Sequence, residues 1–352
     1  MQHYTFPYTE VFHCTAGDCP DSCCKGWEIV IDPKTLQTYQ QTCSPIGETI
    51  RSTLTKNEDD EWMFQNREDG NCSFWNKEKL CDLQIQAGEH LLCDTCRQFP
   101  RIPQDYTLFT EHVLSLACPE AARLVLTQTE PFQAIPLTQD EPSEPVNEAE
   151  LPYSLNWMNC LLETRAVLLQ LFQETSIPLA EALCYGLHYV QQFQDWIEEK
   201  TDDFPELQPI PSKPVFLHHE SVQHLYDTLE WMTPEWADWM QQIQQHPVTD
   251  ADLQAFIKIA EPWIPAFRNF CSYYLYLYWL QALNTGNALI QYQKLLTALH
   301  EIAIVSAWKL RETHTYTLTD CMIIVQRYAK EVMHDAENIE KIEDILYNLG
   351  SL

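Results

Sequence analysis

Basic residues are scarce in this chain: 21 Lys and Arg stand against 51 Asp and Glu, a net charge of −30 over 352 residues. So negative a surface repels a phosphate backbone, and no Lys/Arg-rich stretch overrules it, which argues against nucleic acid as a partner. The main reading of the charge is that it keeps the chain in solution; the other is that it draws in a basic or lysine-bearing protein. Glycine is scarcer still. None of the eight glycines falls in a Gly-x-Gly-x-x-Gly turn, which disfavours a Rossmann-type nucleotide cradle. Apolar runs are short as well. The most apolar window, residues 271–280, falls short of the ~20 residues that cross a bilayer and is preceded by Arg268 and Asn269, so no transmembrane segment is expected. Its main reading is the buried central helix of a bundle, with a membrane-surface or partner-docking face as the other. The first ten residues lack a basic stretch followed by an apolar run and a small-residue cleavage site, so a cytoplasmic location is expected.

Cysteine is what the chain has in plenty. Ten of its fourteen cysteines lie between Cys14 and Cys118: Cys14, Cys19, the adjacent pair Cys23-Cys24, Cys43, Cys72, Cys81, Cys93, Cys96 and Cys118. Thiols so spaced have three explanations, namely disulfides, structural zinc or an iron–sulfur cluster. In the reducing cytosol a metal is favoured over disulfides. Cys93 and Cys96 can reach one ion or one cluster face from a single turn. The adjacent Cys23 and Cys24 diverge, so they serve different sites, or one is a ligand and the other is packed. The radical-enzyme pattern Cys-x3-Cys-x2-Cys fails, because Cys19 and Cys23 are followed by Gly26 at the third position. His13 and His90 stand alone, without the second histidine of a zinc finger.

The fold expected is mainly α: a cysteine-rich, metal-binding N-terminal region with short strands at 1–126, an acidic Pro-rich linker at 127–152, and an α-helical domain at 153–352. In the first region a lead-in strand is expected within 1–12, a short strand through Trp27, Ile29 and Ile31, and a helix over 33–41 with Asp32 as N-cap and Pro33 at its first position. A small hairpin is expected to carry Cys72 and Cys81, and a helical turn over 84–92 to deliver Cys93 and Cys96. Beyond the linker, apolar residues recur at three- and four-residue steps over 155–172, 179–199, 220–232, 250–260, 264–283, 289–309 and 318–349. Pro178 and Thr319 mark starts, Gly350 marks a stop, and the four prolines within 201–218 join two helical groups. In the central window Tyr273, Tyr274, Tyr276 or Trp279 could offer an aromatic face to a sulfonium or an ammonium. Arg97 and Arg101, just after Cys96, could offset thiolate charge or clamp a cofactor carboxylate, or pair with an acid. Asp18, Asp21, Asp32 and Glu120 are candidate bases, or caps and turn residues.

Several blocks resemble one bacterial family. Phe12-His13-Cys14, Gly17-Asp18-Cys19-Pro20-Asp21-Ser22-Cys23-Cys24-Lys25-Gly26-Trp27, Cys72-Ser73-Phe74, Leu80-Cys81-Asp82-Leu83-Gln84, Thr95-Cys96-Arg97-Gln98-Phe99-Pro100-Arg101 and Ala117-Cys118-Pro119-Glu120 are similar, in order, to the flagellin lysine-N-methylase (FliB) family. They cover the first third; the later helices resemble the family only loosely. Similar blocks also occur in small proteins described as zinc- or iron-chelating. The resemblance implies a protein lysine N-methyltransferase that uses S-adenosylmethionine and a 4Fe-4S cluster, with a flagellin-like protein bearing surface lysines as substrate. Carried over by position, it implies Cys14, Cys19, Cys23, Cys24, Cys72, Cys81, Cys96 and Cys118 as ligands; the spacing to Cys96 adds Cys93. Nine thiols exceed one cluster, so there is more than one metal site or some cysteines are structural. Methyl transfer needs an unprotonated amine in line with the sulfonium methyl, which burial favours by lowering the lysine pKa. A non-catalytic zinc- or iron-binding interaction module and an iron–sulfur redox or sensor protein are the alternatives.

Overall fold

The computed structural model describes residues 2–137, 151–208 and 225–349. It is mainly α-helical, as the periodicity predicts, and the strands among the described residues all lie before residue 137. β1 (Gln2–Thr5) and α1 (Pro7–Glu10) open the chain. In α2 (Pro33–Gln41) the Asp32 side chain caps the helix by accepting the Thr35 N–H, with Pro33 in the first turn, as expected. α3 (Pro45–Ser52) leads into a hairpin of β2 (Leu54–Lys56) and β3 (Trp62–Phe64), against which 29–31 lies extended through Ile31 N to Trp62 O at 2.8 Å. The short helices α4 (Asp82–Ala87) and α5 (Asp94–Gln98) follow, each with a cysteine, Cys81 or Cys93, at the position before its first residue.

Next come β4 (Arg101–Asp105), β5 (Phe109–Leu114), α6 (Pro119–Leu126) and β6 (Ile135–Pro136). The sheet order is β4-β5-β1-β6, with β1 parallel to β5 so that Gln2 stands opposite Phe109, and antiparallel to β6. The acidic stretch after α6 thus starts packed, with Phe132 buried and Ile135–Pro136 in the sheet; its residues 138–150 lie outside the described residues.

The helices of the second half are α7 (Leu155–Gln173), α8 (Leu179–Ile197), α9 (Pro234–Gln245), α10 (Asp250–Ile259), α11 (Ile264–Tyr278), α12 (Ala282–Thr285), α13 (Ala288–Thr313), α14 (Leu318–Tyr328) and α15 (Ala336–Leu349). Helix α9 is not among the expected ones, and residues 220–224, the prolines at 209–214 and the stop at Gly350 lie outside the described residues. The single helix read over 318–349 is interrupted by a π turn at Ala329–Met333, and its cap is Thr317 in a reciprocal capping box with Asp320 rather than Thr319. Here Lys330 and Glu331 are buried, and Glu331 accepts the Met232 and Thr233 N–H groups.

Two apolar cores result. The larger is centred on α11, whose residues from Phe270 to Tyr278 are all buried, as read for the central helix. It extends into the sheet through Phe6, Val113 and Leu114. Inside it Arg165 holds Glu111 through two hydrogen bonds of 2.8 and 2.6 Å, both side chains nearly inaccessible. The smaller core comprises Ile29, Ile31, Tyr39, Ile50, Phe64, Phe74, Leu83 and Leu91, with Cys72 and Cys93 as members. Gly26 ties the two halves: its φ of +84° suits glycine, and a Cβ there would stand 3.3 Å from Met232. Lys25 pairs with Glu235 at the start of α9, 3.3 Å away.

Candidate metal centre

Five thiols belong to the small core. Cys72 and Cys93 are buried in it, and Cys24, Cys81 and Cys96 pack against it. Backbone pairing fixes their neighbourhood: Cys72 N donates to Cys24 O at 2.8 Å, and Cys81 bridges to Trp75, three residues past Cys72. The turn of α5 that carries Cys93 and Cys96 is anchored beside them, Thr95 Oγ1 donating to Val30 O at 2.9 Å and Asp94 N to Asp32 Oδ2 at 3.0 Å. Burial, opposed by a backbone N–H, pushes the Cys72 thiol up to about 11, and the nearby thiols of Cys24, Cys81 and Cys93 add to the rise. Cys81 is raised for the same leading reason, with Cys24 close to it. Cys93 and Cys96 share a hydrogen bond that lowers the first and raises the second, and Cys24 and Cys72 stand near enough to raise Cys96 further.

A second group gathers at the edge of the large core. Cys118 directly precedes α6, and burial, opposed by the Ala121 and Glu120 N–H groups, pushes it up to about 11, with Cys19 and Cys14 adding to the rise. Cys23 is raised first by a hydrogen bond with Cys24, then by desolvation, then by Cys24, Cys14 and Cys118 nearby. The same hydrogen bond lowers Cys24. Cys14, Cys19, Cys23 and Cys118 therefore form one neighbourhood and Cys24, Cys72, Cys81, Cys93 and Cys96 the other, meeting at Cys23-Cys24.

Helix α14 holds the first neighbourhood in place. Gln326 Nε2 donates to Asp21 Oδ2 at 3.0 Å and to Ala117 O at 2.9 Å, joining the Cys19–Cys23 loop to the turn before Cys118. Lys330, 2% exposed, reaches the same Asp21 oxygen at 3.0 Å. These two residues were not singled out from sequence; the signal was a Gln and a Lys on the apolar face of a helix.

All fourteen cysteines are free thiols. Among the described residues no three His, Cys, Asp or Glu side chains converge closely enough to hold one metal ion as placed. Cys43 is exposed and its thiol lies 3.5 Å from Gln41 O. His13 and His90 are exposed, and His13 Nδ1 lies 3.0 Å from Val11 O.

The remaining candidates have structural partners. Asp21 is bound by Gln326 and Lys330, and Glu120 pairs with Arg123 at 2.7 Å. Burial works against ionised Asp32, yet hydrogen bonds from Asp94 and Thr35 outweigh it and hold its carboxyl below the usual value. Asp18 sits in the short 3-10 turn before Cys19. Arg97 bonds Asp94 at 2.8 Å and the Leu92 carbonyl, whereas the exposed Arg101 lies 5.4 Å from the Phe12 ring centre. In the central helix Tyr276 does face a cation, but it is the chain's own Arg165, 4.5 Å from the ring centre, and Trp279 Nε1 donates to Leu161 O at 2.8 Å. Tyr273 and Tyr274 are buried within the bundle.

No family model matches the chain, and no solved structure matches it. Among curated proteins it is 33% identical over 120 residues to the flagellar biosynthetic protein FliU of Salmonella muenchen, an alignment covering 33% of this chain and 71% of that protein. The same identity over 120 residues relates it to proteins named lysine-N-methylase from Salmonella typhimurium and Salmonella choleraesuis. In those two the match spans only 30% of the relative's length.

Proposed function

The chain belongs to the family of FliU and the lysine-N-methylases, and from that premise we propose that it transfers methyl groups from S-adenosylmethionine to lysine side chains of a flagellin-like protein, with iron–sulfur chemistry at its N-terminal thiols. The observation that carries the reading is the gathering of nine thiols into two neighbourhoods that meet at Cys23-Cys24 in a chain of this family.

Thiols are the donor type that supports this reading. Thiolates are the ligands that iron–sulfur clusters take, and one neighbourhood offers Cys14, Cys19, Cys23 and Cys118, the other Cys24, Cys72, Cys81, Cys93 and Cys96. A bound cluster would supply redox chemistry or an iron open to a ligand. As placed, no three of these side chains among the described residues converge on one point. Zinc accepts the same thiolates, and a zinc-folded binding module is the second reading, favoured by the way the small apolar core is built around Cys72 and Cys93.

In the transfer itself the lysine nitrogen lone pair attacks the sulfonium methyl, the S–CH3 bond breaks as the N–CH3 bond forms, and S-adenosylhomocysteine leaves. The amine must first lose its proton, and alignment in a desolvated site supplies much of the acceleration. Of the two arginines near Cys96, Arg101 is the one open to meet the carboxylate of the donor, since Arg97 already holds Asp94.

The test is labelled S-adenosylmethionine with flagellin as acceptor, using protein purified without oxygen. Methyl-lysine in the acceptor supports the reading. Iron and sulfide without methyl transfer favour a redox or sensor protein, and zinc without methyl transfer favours the binding module.

A further inference from the structure

A cavity between α9 and α13 lies away from the thiols, and it has the chemistry of an amine site. It measures about 230 Å³, and its lining includes Tyr226, Asp227, Trp231, Met240, His300 and Glu301. That is below the ~300 Å³ at which pockets for drug-sized molecules begin, and suited to one amino-acid side chain rather than to a nucleoside-bearing cofactor.

Glu301 is the residue that needs explaining. It is 5% exposed, and among the described residues its carboxyl makes no hydrogen bond and no ion pair. Buried carboxylates are ordinarily paired. Burial, with the charge of Asp227 second, pushes it up to about 8. A cation placed between the two carboxyls relieves both the desolvation and the repulsion. Aromatic rings and a thioether beside the acids suit a cation carried on an aliphatic stem.

One helix links the cavity to the thiol region. Glu235, in the first turn of α9, pairs with Lys25, the residue after Cys24, while Met240 lines the cavity five residues further on. At 1.5 Å per residue that is about 8 Å along the helix axis.

We propose that this cavity, bounded by Tyr226, Trp231, Met240, Asp227 and Glu301, receives the ammonium-bearing side chain of a substrate lysine. The assignment rests on the lysine-methyltransferase reading for the identity of the substrate, and on the cavity itself for the chemistry.

The test uses the full chain and Nα-acetyl-lysine methylamide as probe in a ligand-observed NMR titration, with Nα-acetyl-norleucine methylamide as the uncharged control. Saturable binding of the lysine probe and none of the control is expected. Glu301→Gln should weaken the lysine probe about ten- to hundred-fold and Trp231→Leu about three- to thirty-fold, both variants retaining a cooperative melt. No saturable binding to the unmodified chain, equal binding of both probes, or unaltered binding in both variants overturns the proposal. Methyl transfer measured in parallel separates the two readings. A chain that binds the lysine probe here yet transfers no methyl group supports the cavity and counts against the methyltransferase. Methyl transfer with an unchanged KM for the lysine substrate in both variants refutes the cavity and leaves the methyltransferase standing.

Discussion

Glu301→Gln isolates the titration of one buried carboxyl, and its effect on stability can be worked out. The carboxyl moves from an ordinary value of 4.5 to about 8 in the folded chain, through burial first and Asp227 second. Between those limits the folded chain keeps a proton that the unfolded chain has released. The stabilising contribution is therefore complete below about pH 4.5 and is lost as the pH rises towards 8, at about 1.4 kcal/mol per pH unit and about 5 kcal/mol in all. Glutamine keeps the shape and has no such titration. Urea or guanidinium melts of the unmodified chain and the variant, taken from pH 5 to 9, should show their difference changing by about 4 kcal/mol of that total, the variant gaining relative stability as the pH rises. Parallel profiles across that range would refute the reasoning, since they would mean that Glu301 titrates alike in both states.

Arg165→Met strands Glu111 without its two hydrogen bonds and removes the guanidinium from the Tyr276 face, which should cost about 3–5 kcal/mol in a denaturant melt. The double variant Arg165→Met/Glu111→Gln should recover part of that loss, because no buried charge is left unpaired. His334, whose Nε2 lies 2.7 Å from Ser115 Oγ, is lowered by burial from 6.5 to about 4. The unfolded chain takes up its proton first, so stability should fall by about 3 kcal/mol as the pH drops from 6.5 to 4, a slope that His334→Gln abolishes in melts across that range.

Local features were readable where the cause is local. Asp32-Pro33 announces a helix because a carboxylate cap and a fixed φ act within four residues, and the later helices declare themselves by apolar spacing. The sheet was not readable in the same way: β1 finds β5 across more than a hundred residues, and neither segment is long or strongly alternating. Helix α9 was hidden because its Trp236, Trp239, Met240 and Ile243 are diluted by Glu and Gln, although Thr233-Pro234 is an ordinary start signal. The interruption at Ala329–Met333 leaves no mark in the apolar period, which runs on through it. The cysteine blocks stand out in the sequence, but spacing alone does not distribute them. Only the folded chain places Cys118 beside Cys14, Cys19 and Cys23, and sets Cys24 beside Cys72, Cys81, Cys93 and Cys96. Glu301 could have been flagged as an acid set in the apolar face of α13, yet its lack of a partner is a property of the packed structure.

The account turns on those two thiol neighbourhoods being iron sites that part company at adjacent residues. Quantifying iron, zinc and acid-labile sulfide in protein purified without oxygen, for the unmodified chain and for Cys23→Ser and Cys24→Ser, tests that most directly. Iron and sulfide in matching amounts are predicted, with each variant losing a share of both. Zinc in place of iron, or variants whose metal content equals that of the unmodified chain, would contradict it.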